Sequence, residues 1–445
     1  MPDATATSSN LPGPGSSPAP GAAKRLAWLD ALRGVAALCV VFDHLGYYVL
    51  QHARHLVYQW FDPGTYGVFV FFLVSGYIVP ASLERKGSVR TFWVSRVFRL
   101  YPLYLTAMGG AAVLSLAGLD SLRGAAQDPE TSGLGSILML SNVLGVPNAI
   151  NVIWTLSYEM AFYLLLTALF TGGVHRRSSR YALGFAVAAV ALGGALPMTA
   201  LSGGFLGTRL VAQIADLLIA GGIALAVTRY RIPKLVGAGL AGGTAMVLVA
   251  VNGQYIEPWE AFTILALMFT GTVAYRAEHG DLSRPRAAAL AVAVFALCIA
   301  AGLWHSHAWG ISAGAEVQWE RRWVSSLALA GVTFAVGMAC RHKRVPSFLA
   351  WLGLISYSVY LLHPLLISLY YHTPGTRGPH PFPVQVLMAA AFLAAVLACS
   401  AVTHRFIEAP MQRQGRKLAA CLDRWFGPER VPEPVRHAPA EATTR

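Results

Sequence analysis

Charged residues are scarce in this chain of 445: Asp, Glu, Lys and Arg together make up 12%, about half the share of an ordinary soluble domain. That deficit excludes a cytosolic enzyme with a water-facing surface all round. Acidic residues are scarcer than basic ones, 21 against 34, for a net charge of +13. Cysteine is sparse too, and Cys39, Cys298, Cys340, Cys399 and Cys421 include no CxxC pair, which excludes a disulfide framework and a zinc-thiolate site. The histidine pairs His52/His55 and His305/His307 lack an accompanying ligand set, so no metal is expected at either. A Gly-rich phosphate loop of the Walker type is also missing, which argues against nucleotide hydrolysis.

Apolar sequence is abundant, at 55% hydrophobic residues. It falls into about twelve stretches, near 27–50, 66–82, 100–118, 152–172, 181–201, 209–228, 235–251, 259–275, 287–304, 324–340, 349–371 and 384–404. Most are about as long as a membrane-crossing helix needs to be. The expected fold is all-α: a polytopic bundle of about 10–12 transmembrane helices in the inner or plasma membrane. Threading these spans leaves 27 of the 34 Lys and Arg residues on the side of the two termini, six on the other side and Arg33 within a span. The positive-inside rule then puts both termini in the cytoplasm. Topology and anionic lipid account for the excess positive charge, without a nucleic-acid partner. Residues 1–24, rich in Pro, Gly, Ser and Ala, read as a disordered cytoplasmic tail, 25–408 as the membrane domain and 409–445 as a basic tail with no appended soluble domain. The short apolar stretch 134–147 is open to a re-entrant reading.

Ionisable side chains at membrane depth are costly, so they face the bundle interior or a water-filled cavity. The first span carries Arg33 and, eleven residues on, His44. At 3.6 residues per turn they share one helix face, about 16 Å apart along the axis. A count at 1.5 Å per residue puts His44, Glu159, Asp216, His363 and Ser75 in one layer, about 9 to 13 Å from one membrane edge. Such a layer, a potential base among carboxylates, suits general-base chemistry or a proton relay. Arg96 and Arg99 are three apart on a helical turn, a spacing that lets two guanidiniums fork onto phosphate or serve as positive-inside anchors.

These residues also carry a resemblance. Leu29-Asp30-Ala31-Leu32-Arg33-Gly34 with His44 is followed by Phe71-Phe72-Leu73-Val74-Ser75-Gly76-Tyr77 and by Arg96-x-x-Arg99 with Pro102. Trp154 to Glu159, Ile355 to His363 and Phe406-Ile407-Glu408-Ala409-Pro410 come next, all in order. The series resembles the membrane acyltransferase family 3 across nearly the whole membrane region. Thr155, Tyr77 and Leu362 stand where Ser, Phe and Trp are common in that family.

The resemblance implies an integral-membrane O-acyltransferase with no permanently bound cofactor. It would move an acyl group, commonly acetyl, from cytoplasmic acyl-CoA to a hydroxyl of a surface polysaccharide, glycolipid or glycosylated metabolite. Arg33 and His44 would be its Arg-x10-His motif, and Arg96 with Arg99 its Arg-x-x-Arg motif. His44 is then expected to act as base or acyl relay, with Glu159 orienting it. Arg33 would stabilise the thioester or the oxyanion, and Arg96 and Arg99 the phosphates of CoA. Ser75, Tyr77, Trp154, Tyr158, Asp216 and His363 are expected around the acceptor. The alternative from the residues alone is a proton-coupled secondary transporter in which His44, Glu159 and Asp216 form the relay.

Overall fold

A computed structural model describes residues 26–119, 128–203, 207–306, 312–376, 378 and 380–427. Among them are fifteen α-helices and no strand. They are α1 (Ala27–Gly46), α2 (Gln51–Tyr58), α3 (Pro63–Lys86), α4 (Val89–Leu116), α5 (Pro129–Ile137), α6 (Trp154–Thr171), α7 (Ser178–Ala191) and α8 (Thr208–Ala226). The second half comprises α9 (Arg231–Val251), α10 (Pro258–Glu278), α11 (Arg284–Ser306), α12 (Ala313–Ala339), α13 (Ser347–His372), α14 (Phe382–Thr403) and α15 (Ala409–Phe426). A 3-10 turn, Asn151–Ile153, leads into α6, and a π-helical turn, His404–Glu408, joins α14 to α15.

All twelve apolar stretches contain a helix, with two departures. The 27–50 stretch ends as a helix at Gly46, and α2 turns away from α1 by 117°. The 181–201 stretch is helical only to Ala191. Nine helices among the described residues are long and apolar enough to cross a membrane, or ten if α1 and α2 count as one bent span. The others at expected spans are α7, only 14 residues long, and α10, buried along nearly its whole length.

Local sequence sets the ends of the helices that matter to the site. Asp62 caps α3 by accepting from the Thr65 amide at 2.8 Å, with Pro63 at the first helical position, where its missing N–H costs nothing. Gly87, at φ 62°, closes the other end in the left-handed conformation, and Ser88 at once caps α4. α3 and α4 are therefore joined by the tightest of turns.

Glycines set how closely the central helices approach. A Cβ on Gly353 of α13 would lie 1.9 Å from the Asp30 carbonyl oxygen of α1, and one on Gly76 of α3 would lie 1.8 Å from that of Met268 on α10. Backbone-to-backbone contact through small residues is how helices pack where the surrounding lipid is as apolar as the interface. α1 is thereby seated between α13 and α3, and α3 between α1 and α10.

The 134–147 stretch is part helix and part inserted loop. α5 ends at Ile137, and Leu140, Asn142, Val143, Leu144 and Val146 are fully buried. Buried irregular backbone needs partners for its polar groups, and two asparagines supply them. Asn142 receives a hydrogen bond on Oδ1 from the Tyr255 amide and donates to the Tyr158 hydroxyl at 3.0 Å, while Asn252 donates to the Val143 carbonyl at 3.0 Å. The tail expectation for 1–24 lies outside the described residues, as do 428–445 of the basic tail. Residues 409–426 of that tail form α15, which lies along α4 and is tied to it by an ion pair from Arg90 to Asp423.

Candidate active site

The α1–α13 crossing brings together two histidines 319 positions apart. His44 Nδ1 and His363 Nε2 are 2.9 Å apart, and the rings stack with centroids at 5.1 Å. His363 Nδ1 lies 3.0 Å from the Val359 carbonyl oxygen, one turn back. A carbonyl only accepts, so that nitrogen carries the proton and the Nε2 of a neutral His363 is a lone pair. His44 Nδ1 must then be the donor, which leaves His44 Nε2 without a proton. That is the tautomer a general base needs. His363 is fully buried, whereas His44 lines two clefts.

The first, a tryptophan cleft of about 840 Å³, is lined by His44, Asp43, Asp62, Glu260, Trp154, Trp319 and Trp323. The second, an open cleft of about 1470 Å³, has His44, Tyr48, Asn148 and Tyr371 on its walls. A third, the arginine cleft of about 600 Å³, holds Arg33, Arg99, Ser75, Thr155, Glu159 and Tyr360. Arg33 Nε is buried with no hydrogen-bond partner among the described residues. Glu159 accepts from the Tyr163 hydroxyl and stands 3.5 Å from Ser75 Oγ. A guanidinium with a spare donor beside a void, and a second guanidinium on the same wall, suit an anion or a developing oxyanion.

Val68 and Tyr360 line both the arginine cleft and the tryptophan cleft, so one layer of side chains separates Arg33's surroundings from those of His44. Tyr360 is fixed in that layer by Thr155 Oγ1 at 2.9 Å and by the Val152 carbonyl at 3.0 Å. The Thr155 hydroxyl thus has a definite partner.

The expected polar layer is divided. Ser75 and Glu159 belong with Arg33, and His44 belongs with His363. Glu159 therefore does not orient His44, as axial depth suggested; a count along each helix from an assumed membrane edge does not fix where the helices stand relative to one another. Arg96 and Arg99 also part company: Arg99 lines the arginine cleft, while the buried Arg96 sits 5.1 Å from the ring centroids of Phe92 and Tyr163.

Trp154 lines the tryptophan cleft. Tyr158 is buried and its hydroxyl is engaged by Asn142. The Tyr77 hydroxyl bonds Glu278 and its ring stands edge-on to Trp28 and Tyr275, away from all three clefts. Asp216 is on α8, which packs on α9 and α5, and it lines none of the three. His44, Glu159 and Asp216 thus do not form a continuous relay.

Of the pair His305/His307, His305 donates from Nε2 to the Ala189 carbonyl oxygen of α7 at 3.0 Å and stacks on Trp259; His307 lies outside the described residues. Among the described residues no three His, Cys, Asp or Glu side chains gather as a metal site. The sequence reading missed Tyr360, Asp43, Asp62, Glu260, Trp319 and Trp323. Asp43 adjoins His44 and was within reach of that reading. Trp319 and Trp323 arrive on α12, and no spacing rule links α12 to α1.

A family model described as an acyltransferase domain matches residues 26–404. The acyltransferase MdmB of Streptomyces mycarofaciens is 34% identical over 149 residues, 32% of this chain and 38% of its own. YrhL of Bacillus subtilis (strain 168), provisionally named a peptidoglycan O-acetyltransferase, is 26% identical over 192 residues, 39% of this chain and 28% of its own. A provisionally named O-acetyltransferase of Staphylococcus aureus (strain COL) is 25% identical over 176 residues, 35% and 26% of the two chains. The chain thus spans less than two-fifths of the curated relatives it matches. No solved structure matches. The family match runs from the first residue of the described region to the π turn after α14, and on it the chain belongs to the acyltransferase 3 family.

Proposed function

We propose that this protein is a multi-pass membrane O-acyltransferase that moves an acyl group, acetyl first among them, from cytoplasmic acyl-CoA to a hydroxyl of a sugar-containing acceptor. The observation that carries this reading is the pairing of an oriented histidine with a cationic cleft at the two ends of one helix. The acceptor hydroxyl lies at His44 Nε2 and gives up its proton to it as the oxygen attacks the thioester carbonyl carbon. Arg33, about 16 Å from His44 along α1, offers its spare N–H to the donor where it lies in the arginine cleft, which leaves the thioester at the His44 end of the arm. The carbon–sulfur bond then breaks, the ester leaves with the acceptor, and the proton on His44 returns to the thiolate to give CoA thiol. Arg99 holds anionic parts of the donor at the far end of the arginine cleft.

The rise of α1 supports the division of labour. Arg33 and His44 are about 16 Å apart along the axis, a distance comparable to a pantetheine arm threaded between them. In this reading both termini and the donor are cytoplasmic, in keeping with the distribution of Lys and Arg.

The test is transfer of labelled acetyl from acetyl-CoA in purified membranes, comparing wild type with His44→Ala. Label released or moved by the wild type alone is the expected result. Equal turnover by both would remove His44 as the base, and inert wild-type protein with acetyl-CoA and longer acyl-CoAs alike would remove the acyltransferase reading.

A further inference from the structure

The arginine cleft and the tryptophan cleft carry charge of opposite sign. Arg33 and Arg99 face the arginine cleft against one carboxylate, Glu159. The tryptophan cleft has the opposite character: Asp43, Asp62 and Glu260 line it, and no Lys or Arg does. His44 adds no positive charge in the neutral tautomer that His363 selects. The nearest counter-charge given to these carboxylates is Arg54, 3.5 Å from Asp43 Oδ1 and clamped between the rings of Tyr47 and Tyr58 at 3.5 and 3.7 Å. It balances one carboxylate of three.

Asp43 is 7% exposed, and its Oδ1 is buried without a hydrogen-bond donor among the described residues. That oxygen meets the Arg54 guanidinium at 3.5 Å, out of hydrogen-bond geometry, so it can take a closer donor from a bound molecule. The backbone makes room for this carboxylate: a Cβ on Gly64 would come within 2.6 Å of Asp43 Oδ2. Trp319 and Trp323 stack with centroids at 5.4 Å and 13° between planes, and Trp154 faces the same space. Indole faces hold the C–H faces of sugars and attract organic cations.

We infer that the acceptor bound in the tryptophan cleft carries a cationic group close to its reacting hydroxyl, as an amino sugar does. This rests on the proposed reading of His44 as the base that meets the acceptor. The ammonium sits between Asp43, Asp62 and Glu260, its ring lies against the tryptophans, and the hydroxyl reaches His44 Nε2. Charge then separates the two substrates: the anionic donor is drawn to the arginines and repelled from the carboxylates, and the acceptor is drawn the other way.

The experiment measures binding, so it does not depend on turnover. Full-length protein in detergent is treated with diethylpyrocarbonate, and modification of the peptide containing His44 is followed by mass spectrometry. Three methyl glycosides are compared as protectants: a dimethylamino sugar, the same sugar with hydroxyl in place of the amine, and the corresponding uronate. The tertiary amine is protonated at neutral pH and cannot form a stable amide. The dimethylamino sugar is expected to protect His44 at a concentration at least about tenfold below that of the hydroxyl sugar, a factor worth about 1.4 kcal/mol, with the uronate weakest. Asp62→Asn, which keeps the helix cap, and Glu260→Gln should each narrow that gap.

Equal protection by the hydroxyl sugar, better protection by the uronate, or no protection by any of the three overturns the inference. Failure of the reading on which this rests would appear separately: equal acetyl transfer by wild type and His44→Ala would remove His44 as the base, and no transfer by the wild type from any acyl-CoA would remove the acyltransferase reading.

Discussion

Removing the partner of His44 without touching His44 tests the tautomer argument most directly. In His363→Phe a ring of similar size still fills the fully buried site, but the acceptor 2.9 Å from His44 Nδ1 is gone. The Nδ1–H is then left without its partner, which costs about 1–3 kcal/mol. At about 1.4 kcal/mol per factor of ten, the imidazole escapes that cost by leaving its productive tautomer and orientation in all but about one part in 5 to 150. Acetyl transfer by His363→Phe should therefore fall by about one to two orders of magnitude in kcat, with the apparent KM for the donor little changed, because donor contacts lie in the other cleft. His363→Gln, whose amide oxygen can still accept, should recover most of the loss. His44→Ala should lose about 10²–10⁴, and adding His363→Phe to it should cost little more, since the second residue acts through the first. The assay is initial-rate label transfer in membranes matched for protein amount. Either of two results would refute the reasoning: His363→Phe within about twofold of wild type, or a Gln variant no better than the Phe variant.

Arg99→Ala should raise the apparent KM for acyl-CoA about tenfold or more, whereas Arg96→Ala, which empties a site between the Phe92 and Tyr163 rings, should chiefly lower the melting temperature in detergent; an unchanged donor KM in the first variant would argue against Arg99 as an anion contact. Gly353→Ala puts a methyl group where the Asp30 carbonyl oxygen lies and should cost at least the ~1–3 kcal/mol of an overpacked core, read as a lower melting temperature and loss of monodisperse protein on size exclusion. Asp216→Asn should leave acetyl transfer within about twofold, and a large loss would restore the proton-relay alternative. Tyr360→Phe removes the hydroxyl that ties the shared wall to Thr155 and Val152, so hydrolysis of the donor thioester should rise relative to transfer; an unchanged ratio would mean that the wall does not control water at the site.

Helix content and helix number were legible because apolar length is a one-dimensional property, and every expected span holds a helix. Helix ends were less so. The 181–201 stretch stays apolar past Ala191 while its backbone turns, and the bend after Gly46 has no Pro to announce it. The site was legible wherever both residues ride on one helix: Arg33 and His44 needed only the rise and twist of α1. It was illegible across helices. Glu159 and His44 were assigned one depth, but a count from an assumed membrane edge does not fix how two helices slide past one another, and α6 carries Glu159 to the Arg33 cleft beside Tyr163. Similarly, Arg96 and Arg99 have the spacing of a phosphate fork, yet the roughly 60° between them around the helix is enough to send one into a cage of rings and the other to the cleft wall. His363 came within reach through its motif, but its hydrogen bond to His44 depends on Gly353, and nothing local to either histidine marks that contact.

The glycine crossing also explains why the division into two clefts can persist in one bundle. Gly353 brings α13 onto α1 at Asp30, near the arginine end, and from there α13 runs alongside α1 toward His44. Tyr360 lies between these points, seven residues beyond Gly353 and three before His363. The same helix therefore supplies the anchor, the dividing wall and the partner of the base, all in fixed register along about 15 Å of rise. A rigid-body shift of α13 cannot reorient His44 without also moving the wall, so base orientation and separation of the two substrates are mechanically linked. Opposite charge on the two sides of that wall then adds what packing alone cannot. In the proposed reaction each substrate would be attracted to its own cleft, and the two would meet only at the boundary, where the carbonyl carbon and the hydroxyl must react.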